Sequence, residues 1–304
     1  MTSALIAALA PPQMCRLVGV IAEEVTEFGL VLKEAPRSLA RLSNEHPDGW
    51  GIAAHGSLDS MPPSRSEGTR FEGGWRIQKG TERAADCARF QSIASRSAGT
   101  ILIAHVRQKT VGPTSVANTH PFMQSGWVFA HNGTIQDQDF VRSGASAGRL
   151  AEVRGETDSE TLFAYLLSLL DKAGLTKMRE LFGEDGRRAR EEATRILATA
   201  TEELRERKVG AFNFLLSDGE SCFVHRFGRT LFMLDRTPPS TRNLDEIPNS
   251  RERPWVERRR AVLIASERLT DEAWVELPEG AFLRVDREPR PAIAWPHATA
   301  RAAS

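Results

Sequence analysis

Short apolar runs rich in β-branched residues recur at both ends of the chain, and apolar residues at helical spacing fill its middle. Residues 17–21 read as a buried strand, and residues 36–42 as a short helix with Pro36 near its first turn. The turn signal His46-Pro47-Asp48-Gly49 precedes a strand over 50–54. Residues 75–79 alternate as a strand does, 84–97 suit a helix, and 100–106 form a strongly apolar strand leading into Arg107-Gln108-Lys109-Thr110. A strand over 127–130 is expected to end in a tight Asn132-Gly133 turn. Thr157-Asp158-Ser159-Glu160 opens a helix carrying Leu162, Phe163, Leu166, Leu169 and Leu170 on one face. Residues 175–208 are charged and helical, in two pieces broken between Gly183 and Gly186. Strands return over 211–216, 222–227, 231–234, 261–265, 274–277 and 282–285, the first two joined by the hairpin signal Ser217-Asp218-Gly219-Glu220. Hairpins and short connections favour antiparallel sheets over βαβ alternation. The predicted class is α+β, a four-layer α/β/β/α sandwich of two antiparallel sheets.

Three stretches fall outside this core. Residues 56–74 and 237–254 are rich in Ser, Pro, Gly and charge, the first read as a surface insertion, and residues 288–304 as a loose tail. No internal repeat and no second domain is evident, so residues 15–287 are taken as one domain. Residues 1–13 are Ala/Leu-rich, end in Pro11-Pro12-Gln13 and lack the basic start of a secretory signal. They are expected to be absent from the active form, through initiation at Met14, or to be removed as a short pro-segment.

Composition narrows the function classes. The chain has 304 residues, with 40 Lys and Arg balanced by 40 Asp and Glu, which gives no support for nucleic acid or an anionic membrane as partner. No apolar run reaches the length of a membrane-spanning helix. Cys15, Cys87 and Cys222 are odd in number and widely spaced, which argues against a disulfide framework or a cysteine zinc site and suits a reducing cytoplasm. His105, His120 and His131 match no compact metal-ligand spacing, and no metal or cofactor is expected.

The candidate chemistry begins at Cys15. If Met14 is the start and is removed, Cys15 carries a free α-amine beside its own thiol; otherwise it is a small residue heading a strand. Other polar residues fall at element ends, where a rigid sheet can aim them into one cleft. Each also has a plain explanation: Asn132-Gly133 as a turn, Asp158 as part of a helix cap, Arg107 as a surface charge over a sheet edge. Together they suit amide cleavage. An α-amine with a pKa of about 7.7–8.0 can take the thiol proton. The Asn132 amide and the Gly133 N–H can donate to a tetrahedral oxyanion, for about 3–4 kcal/mol per donor. Arg107 could clamp a carboxylate and Asp158 an ammonium, the two charges of an α-amino acid.

Six motifs occur in order: Met14-Cys15-Arg16-Leu17-Val18-Gly19, Pro47-Asp48-Gly49-Trp50-Gly51, Ala104-His105-Val106-Arg107 with Thr110, Asn118-Thr119-His120-Pro121-Phe122, His131-Asn132-Gly133 and Thr157-Asp158-Ser159-Glu160. The series resembles the class II glutamine amidotransferases among the N-terminal-nucleophile hydrolases. It is most similar to the stand-alone branch that includes the ergothioneine-pathway γ-glutamyl hydrolases. Phe212-Asn213-Phe214-Leu215-Leu216-Ser217-Asp218-Gly219 and Ala265-Ser266-Glu267 extend the likeness. The resemblance implies hydrolysis of glutamine-type amides, with Cys15 as nucleophile, its α-amine as base, and Asn132 and Gly133 as the oxyanion hole. Arg107 and Asp158 would hold the substrate's α-carboxylate and α-ammonium, with Thr110 and His120 lining the pocket. The chain departs from synthase-linked members at Arg107-Gln108, where those have Arg-Trp.

The expected substrate is glutamine or another γ-glutamyl compound. With no synthase domain evident after about residue 287, ammonia would pass to a separate synthase, or the enzyme would be a plain γ-glutamyl hydrolase. Two other readings stay open: a catalytically silent γ-glutamyl-binding or regulatory subunit, and a papain-like hydrolase with His120 or His131 as base.

Overall fold

The computed structural model describes residues 15–56, 68–109, 112–236, 260–287 and 292–296. An eight-stranded sheet runs in the spatial order Val275–Glu276 (β12), Phe232–Arg236 (β10), Ala261–Ala265 (β11), Arg16–Glu27 (β1), Ala98–Val106 (β5), Trp50–His55 (β2), Trp75–Gly80 (β4) and Thr69–Glu72 (β3). A six-stranded sheet runs Ala292–Ala294 (β14), Phe282–Asp286 (β13), Ser221–His225 (β9), Gly210–Ser217 (β8), Trp127–Ile135 (β7) and Phe122–Gln124 (β6). The strand pairings in both are antiparallel.

The two-residue period of the strands sorts side chains into layers. Leu17 and Ile21 of β1, Ile101 and Ile103 of β5, Val128 and Ala130 of β7, Leu215 of β8 and Ile264 of β11 form one core between the sheets. Their neighbours Val18, Val20, Leu102 and Ala104 turn outward instead. They meet a π-helical turn at Leu30–Glu34 and the helices Leu39–Leu42 (α1) and Ala88–Ala94 (α2). On the far side, Trp127, Phe129 and Phe214 pack against Gln138–Gly144 (α3), Asp158–Lys172 (α5) and Gly183–Glu206 (α6). The result is the four-layer α/β/β/α sandwich that the alternation predicts.

Several elements differ from the sequence reading. Asn132-Gly133 is no turn: β7 runs on to Ile135, with Asn132 opposite Asn213 and Gly133 opposite Phe212. Gly133 has no positive φ, which a two-residue type I′ turn would need at both central positions. That geometry occurs instead at Ser125 and Gly126, with φ of 52° and 76°, where β6 pairs back onto β7. β1 extends six residues past Ile21, with a register shift between Ile21 and Thr26. Residues 175–208 do form two helical pieces, a 3-10 turn at Met178–Glu180 and α6, but the break falls just before Gly183 and Gly186 lies inside α6.

Two short helices lacked a periodic signal, α3 and Ala147–Ala151 (α4). Each starts at a capping side chain: Asp137 accepts from the Phe140 N–H at 3.1 Å and Ser146 from the Arg149 N–H at 3.2 Å. The stretch 56–74 carries the edge strand β3, and the tail read as loose contributes β14 through pairing with β13. Residues 57–67 of that insertion and the loop expected over 237–254 lie outside the described residues, as do residues 1–14.

A buried histidine offers a test of this packing. His225 is fully buried among Phe212, Phe214 and Phe282, its Nδ1 2.9 Å from the Ala281 carbonyl. Burial pushes its pKa down to about 3, so it stays neutral in the fold. The unfolded chain binds a proton there below about pH 6.5. The stability this group contributes is therefore fully present above that pH. It is lost at up to about 1.4 kcal/mol per pH unit as pH falls towards 3. Urea unfolding of His225→Phe between pH 6.5 and 4 should show a shallower decline than the parent, from a lower starting stability. Parallel curves would mean that this histidine is not held neutral.

Candidate active site

Cys15 stands one residue before β1 and shares the alternation of Leu17 and Ile21, which aims it at the end of the space between the sheets. Its thiol donates to the Gln108 carbonyl and accepts the Gln108 N–H, each at 3.2 Å. Burial pushes the thiol pKa up, while the Gln108 hydrogen bond and the charges of Arg107 and Arg16 restrain the rise. The resting group is thus a thiol, and reaction requires a base to take its proton. Arg16 itself is drawn outward by an ion pair with Glu267, which also pairs with Arg37.

Arg107 follows β5 directly. Far from snorkelling over a sheet edge, it is buried, with its backbone N–H on the Gly49 carbonyl at 2.8 Å and its carbonyl accepting from Asp48 N at 3.0 Å. The Asp48 carboxylate takes the Lys109 N–H at 2.8 Å, so this aspartate pins the chain on both sides of Gln108. The guanidinium reaches the Pro113 carbonyl at 3.1 Å, which Asn118 Nδ2 also meets at 3.0 Å. Asn118 Oδ1 in turn accepts the Glu156 N–H at 2.8 Å, tying this loop to the approach to α5.

Asn132 points from β7 towards the other sheet, in step with Val128 and Ala130. Its Nδ2 donates to Ser266 Oγ at 3.4 Å, and its buried Oδ1 has no partner among the described residues. Ser266 Oγ also accepts the Leu17 N–H at 3.0 Å, so one hydroxyl bridges the Cys15 strand and Asn132. Gly133 lies against β8, where a Cβ would sit 1.9 Å from the Ala211 carbonyl oxygen.

Asp158 begins α5 but does not cap it. Thr157 caps, through its hydroxyl and the Glu160 N–H at 3.3 Å, while the Glu160 carboxylate takes the N–H groups of Arg154 and Gly155 at 3.0 and 2.7 Å rather than closing a capping box. The Asp158 carboxylate accepts the Ile135 N–H at 2.7 Å, which places it at the end of β7, close to Gly133 in the chain. Ser159 Oγ bridges Asp158 Oδ1 at 3.4 Å and His131 Nδ1 at 2.8 Å.

His120 stacks at 4.4 Å between ring centroids on His105, and none of their four ring nitrogens has a partner among the described residues. Burial pushes both far down, His105 to about 3. A histidine so held is a poor general base, and neither it nor His131 is hydrogen-bonded to the Cys15 thiol, as the papain-like reading needs. The structure thus brings Cys15, Arg107, Asn132, Gly133, Asp158 and His120 to one end of the sandwich, while Thr110 lies outside the described residues. Ser266, Asp48 and Ser159 join them without having been singled out for a role. Strand parity would have flagged Ser266, two residues beyond the inward-facing Ile264.

A family model described as class II glutamine amidotransferases matches residues 14–301. An uncharacterised protein of Methanocaldococcus jannaschii is 31% identical over 288 residues, 89% of this chain and 68% of that one. The γ-glutamyl-hercynylcysteine sulfoxide hydrolase of Mycobacterium tuberculosis is 30% identical over 168 residues, 52% of this chain and 64% of its own length. The crystal structure of a predicted glutamine amidotransferase from Pseudomonas aeruginosa superposes with a TM-score of 0.51 at 25% identity, covering 93% of this chain and 98% of that one.

The wall of the site depends on one close approach. A Cβ on Gly51 would lie 2.0 Å from the His120 carbonyl oxygen and 2.9 Å from Pro121 Cδ. Gly51→Ala should therefore force the His120 segment off β2 and cost about 1–3 kcal/mol in urea unfolding. A loss under about 0.5 kcal/mol, the usual range for a neutral surface change, would show that the segment yields freely.

Proposed function

The chain belongs to the class II glutamine amidotransferases, and from that premise we propose that it hydrolyses the γ-amide of glutamine or of another γ-glutamyl compound through a thioester on Cys15. The observation that carries the proposal is the bridge at Ser266, which joins the nucleophile's strand to the Asn132 amide across the two sheets.

In the active form Cys15 is the first residue, and its α-amine takes the thiol proton that burial otherwise retains. Sulfur adds to the γ-carbonyl, and the negative charge forming on oxygen is met by Asn132 Nδ2 and the Gly133 N–H, each donor contributing about 3–4 kcal/mol. The ammonium of Cys15 then gives its proton to the leaving nitrogen as the C–N bond breaks. A water, deprotonated by the same amine, attacks the thioester and frees glutamate. Arg107 receives the α-carboxylate and Asp158, with one carboxylate oxygen already fixed by Ile135, the α-ammonium. Thr110 and His120 complete the pocket.

The likeness to the M. tuberculosis hydrolase supports a γ-glutamyl compound as substrate. With glutamine as substrate, a separate synthase would take the ammonia. The reaction is placed in the cytoplasm, where the three unpaired cysteines persist as thiols.

A panel of γ-glutamyl compounds, with glutamine as reference, tests the reading on protein starting at Met14. Mass spectrometry should find Cys15 at the mature terminus, and Asn132→Ala should lower kcat by about 10²–10³. Cys15→Ala should abolish turnover. Full activity in protein still beginning at Met1 would refute the α-amine as base. A parent that binds γ-glutamyl ligands without cleaving them would be a binding subunit instead.

A further inference from the structure

Ser266 lies immediately beyond β11, almost wholly buried, and each of its polar groups is engaged. Its N–H donates to the Leu17 carbonyl at 3.1 Å, and its own carbonyl accepts from Thr230 Oγ1 at 3.0 Å. The hydroxyl faces the Leu17 N–H at 3.0 Å, the Leu17 carbonyl at 3.5 Å and Asn132 Nδ2 at 3.4 Å. A hydroxyl has one proton and two lone pairs. One lone pair takes the Leu17 N–H at 3.0 Å and the other the Asn132 NH2 at 3.4 Å, while the hydroxyl proton faces the Leu17 carbonyl at 3.5 Å.

The consequence is specific to an amide. Turning the Asn132 side chain over would exchange its NH2 for its carbonyl, and the Ser266 hydroxyl would then have to turn from the Leu17 carbonyl to donate to it. Asn132 Oδ1 has no partner among the described residues, so nothing recorded at that end opposes or supports a flip. Among the described residues, the hydrogen bond recorded for the Asn132 amide is the one to Ser266.

We infer that Ser266 is a positioning residue for the reaction, which holds the Asn132 amide with its NH2 end towards the Cys15 strand so that the second N–H is presented to the substrate oxyanion. This deepens the proposed function and rests on it. Ser266 touches no reacting atom and acts through Asn132.

A double-mutant cycle tests the inference, with kcat normalised to the fraction of Cys15 titrated by a thiol-alkylating reagent. Ser266→Ala is expected to lower kcat about tenfold to a hundredfold, short of losing the donor altogether, with KM within about twofold. In an Asn132→Ala background the same change should cost less than about twofold, since no amide remains to orient. Equal losses in both backgrounds, or a loss in KM alone, would overturn it. If the alanine variant does not fold, Ser266→Cys replaces it, with a weak acceptor in place of a strong one. Its smaller loss should likewise vanish beside Asn132→Ala, and persistence there would overturn the inference.

A second measurement stands apart from turnover. The Asn132 side-chain NH2 pair, assigned in 15N-resolved spectra by its loss in Asn132→Ala, should shift in Ser266→Ala, and in the parent its proton exchange should be slow. An unmoved pair overturns the positioning role even in an active enzyme. A parent inactive on every γ-glutamyl compound, yet showing the shift, refutes the proposed function and leaves the Ser266–Asn132 contact standing.

Discussion

The distance between the two sheets governs where the chemistry can be. At Gly19 they approach so closely that a Cβ would lie 2.7 Å from Leu215 Cδ1. Gly19 sits on β1 between Leu17 and Ile21 and Leu215 opposite Ala130 on β7, so this contact fixes the registration of β1 against the second sheet. Two residues along from that contact, the paired row Ala130 and Leu215 gives way to Asn132 and Asn213, and Gly19 gives way to Leu17 beside Ser266. One further step reaches Cys15. A substitution that spread the sheets at Gly19 would move the thiol and the amide apart without touching either.

Much of this was written in the sequence, for an identifiable reason. Strands that bury both faces must be apolar throughout, so β1, β5, β8 and β11 announce themselves as short continuous runs. The polar residues that interrupt such runs at their ends, Cys15, Arg107, Asn132 and Ser266, are conspicuous against that background. What local pattern could not supply was pairing. Asn132-Gly133 satisfies every local preference for a turn, and only the neighbouring β8 holds it extended. β14 and β3 likewise owe their existence to a partner strand rather than to their own composition. The capped helices α3 and α4 are too short for periodicity to register.

The candidate site residues stand out in the sequence as types and positions, and their partners do not. Nothing near Asp158 in sequence says that its carboxylate is held by Ile135, across the chain at the end of β7. Nothing near Asp48 says that it braces the chain on both sides of Gln108. These are tertiary contacts made by backbone N–H groups, which every residue type except proline supplies, so the donor leaves little mark on the sequence.

The electrostatics of the end of the sandwich follow from the same burial. The thiol is kept protonated because its surroundings are dry, and the histidines nearest in sequence pattern to a catalytic base are kept neutral for the same reason. Raising the thiol pKa while lowering those of His105, His120 and His131 makes proton transfer from the thiol to any of them uphill. The base that operates here is therefore sought in a group other than these histidines. The proposed base is the α-amine of Cys15, whose ordinary pKa of about 7.7–8.0 leaves part of it neutral near pH 7.5. In the proposed mechanism, activation of Cys15 therefore depends on exposure of its own terminus.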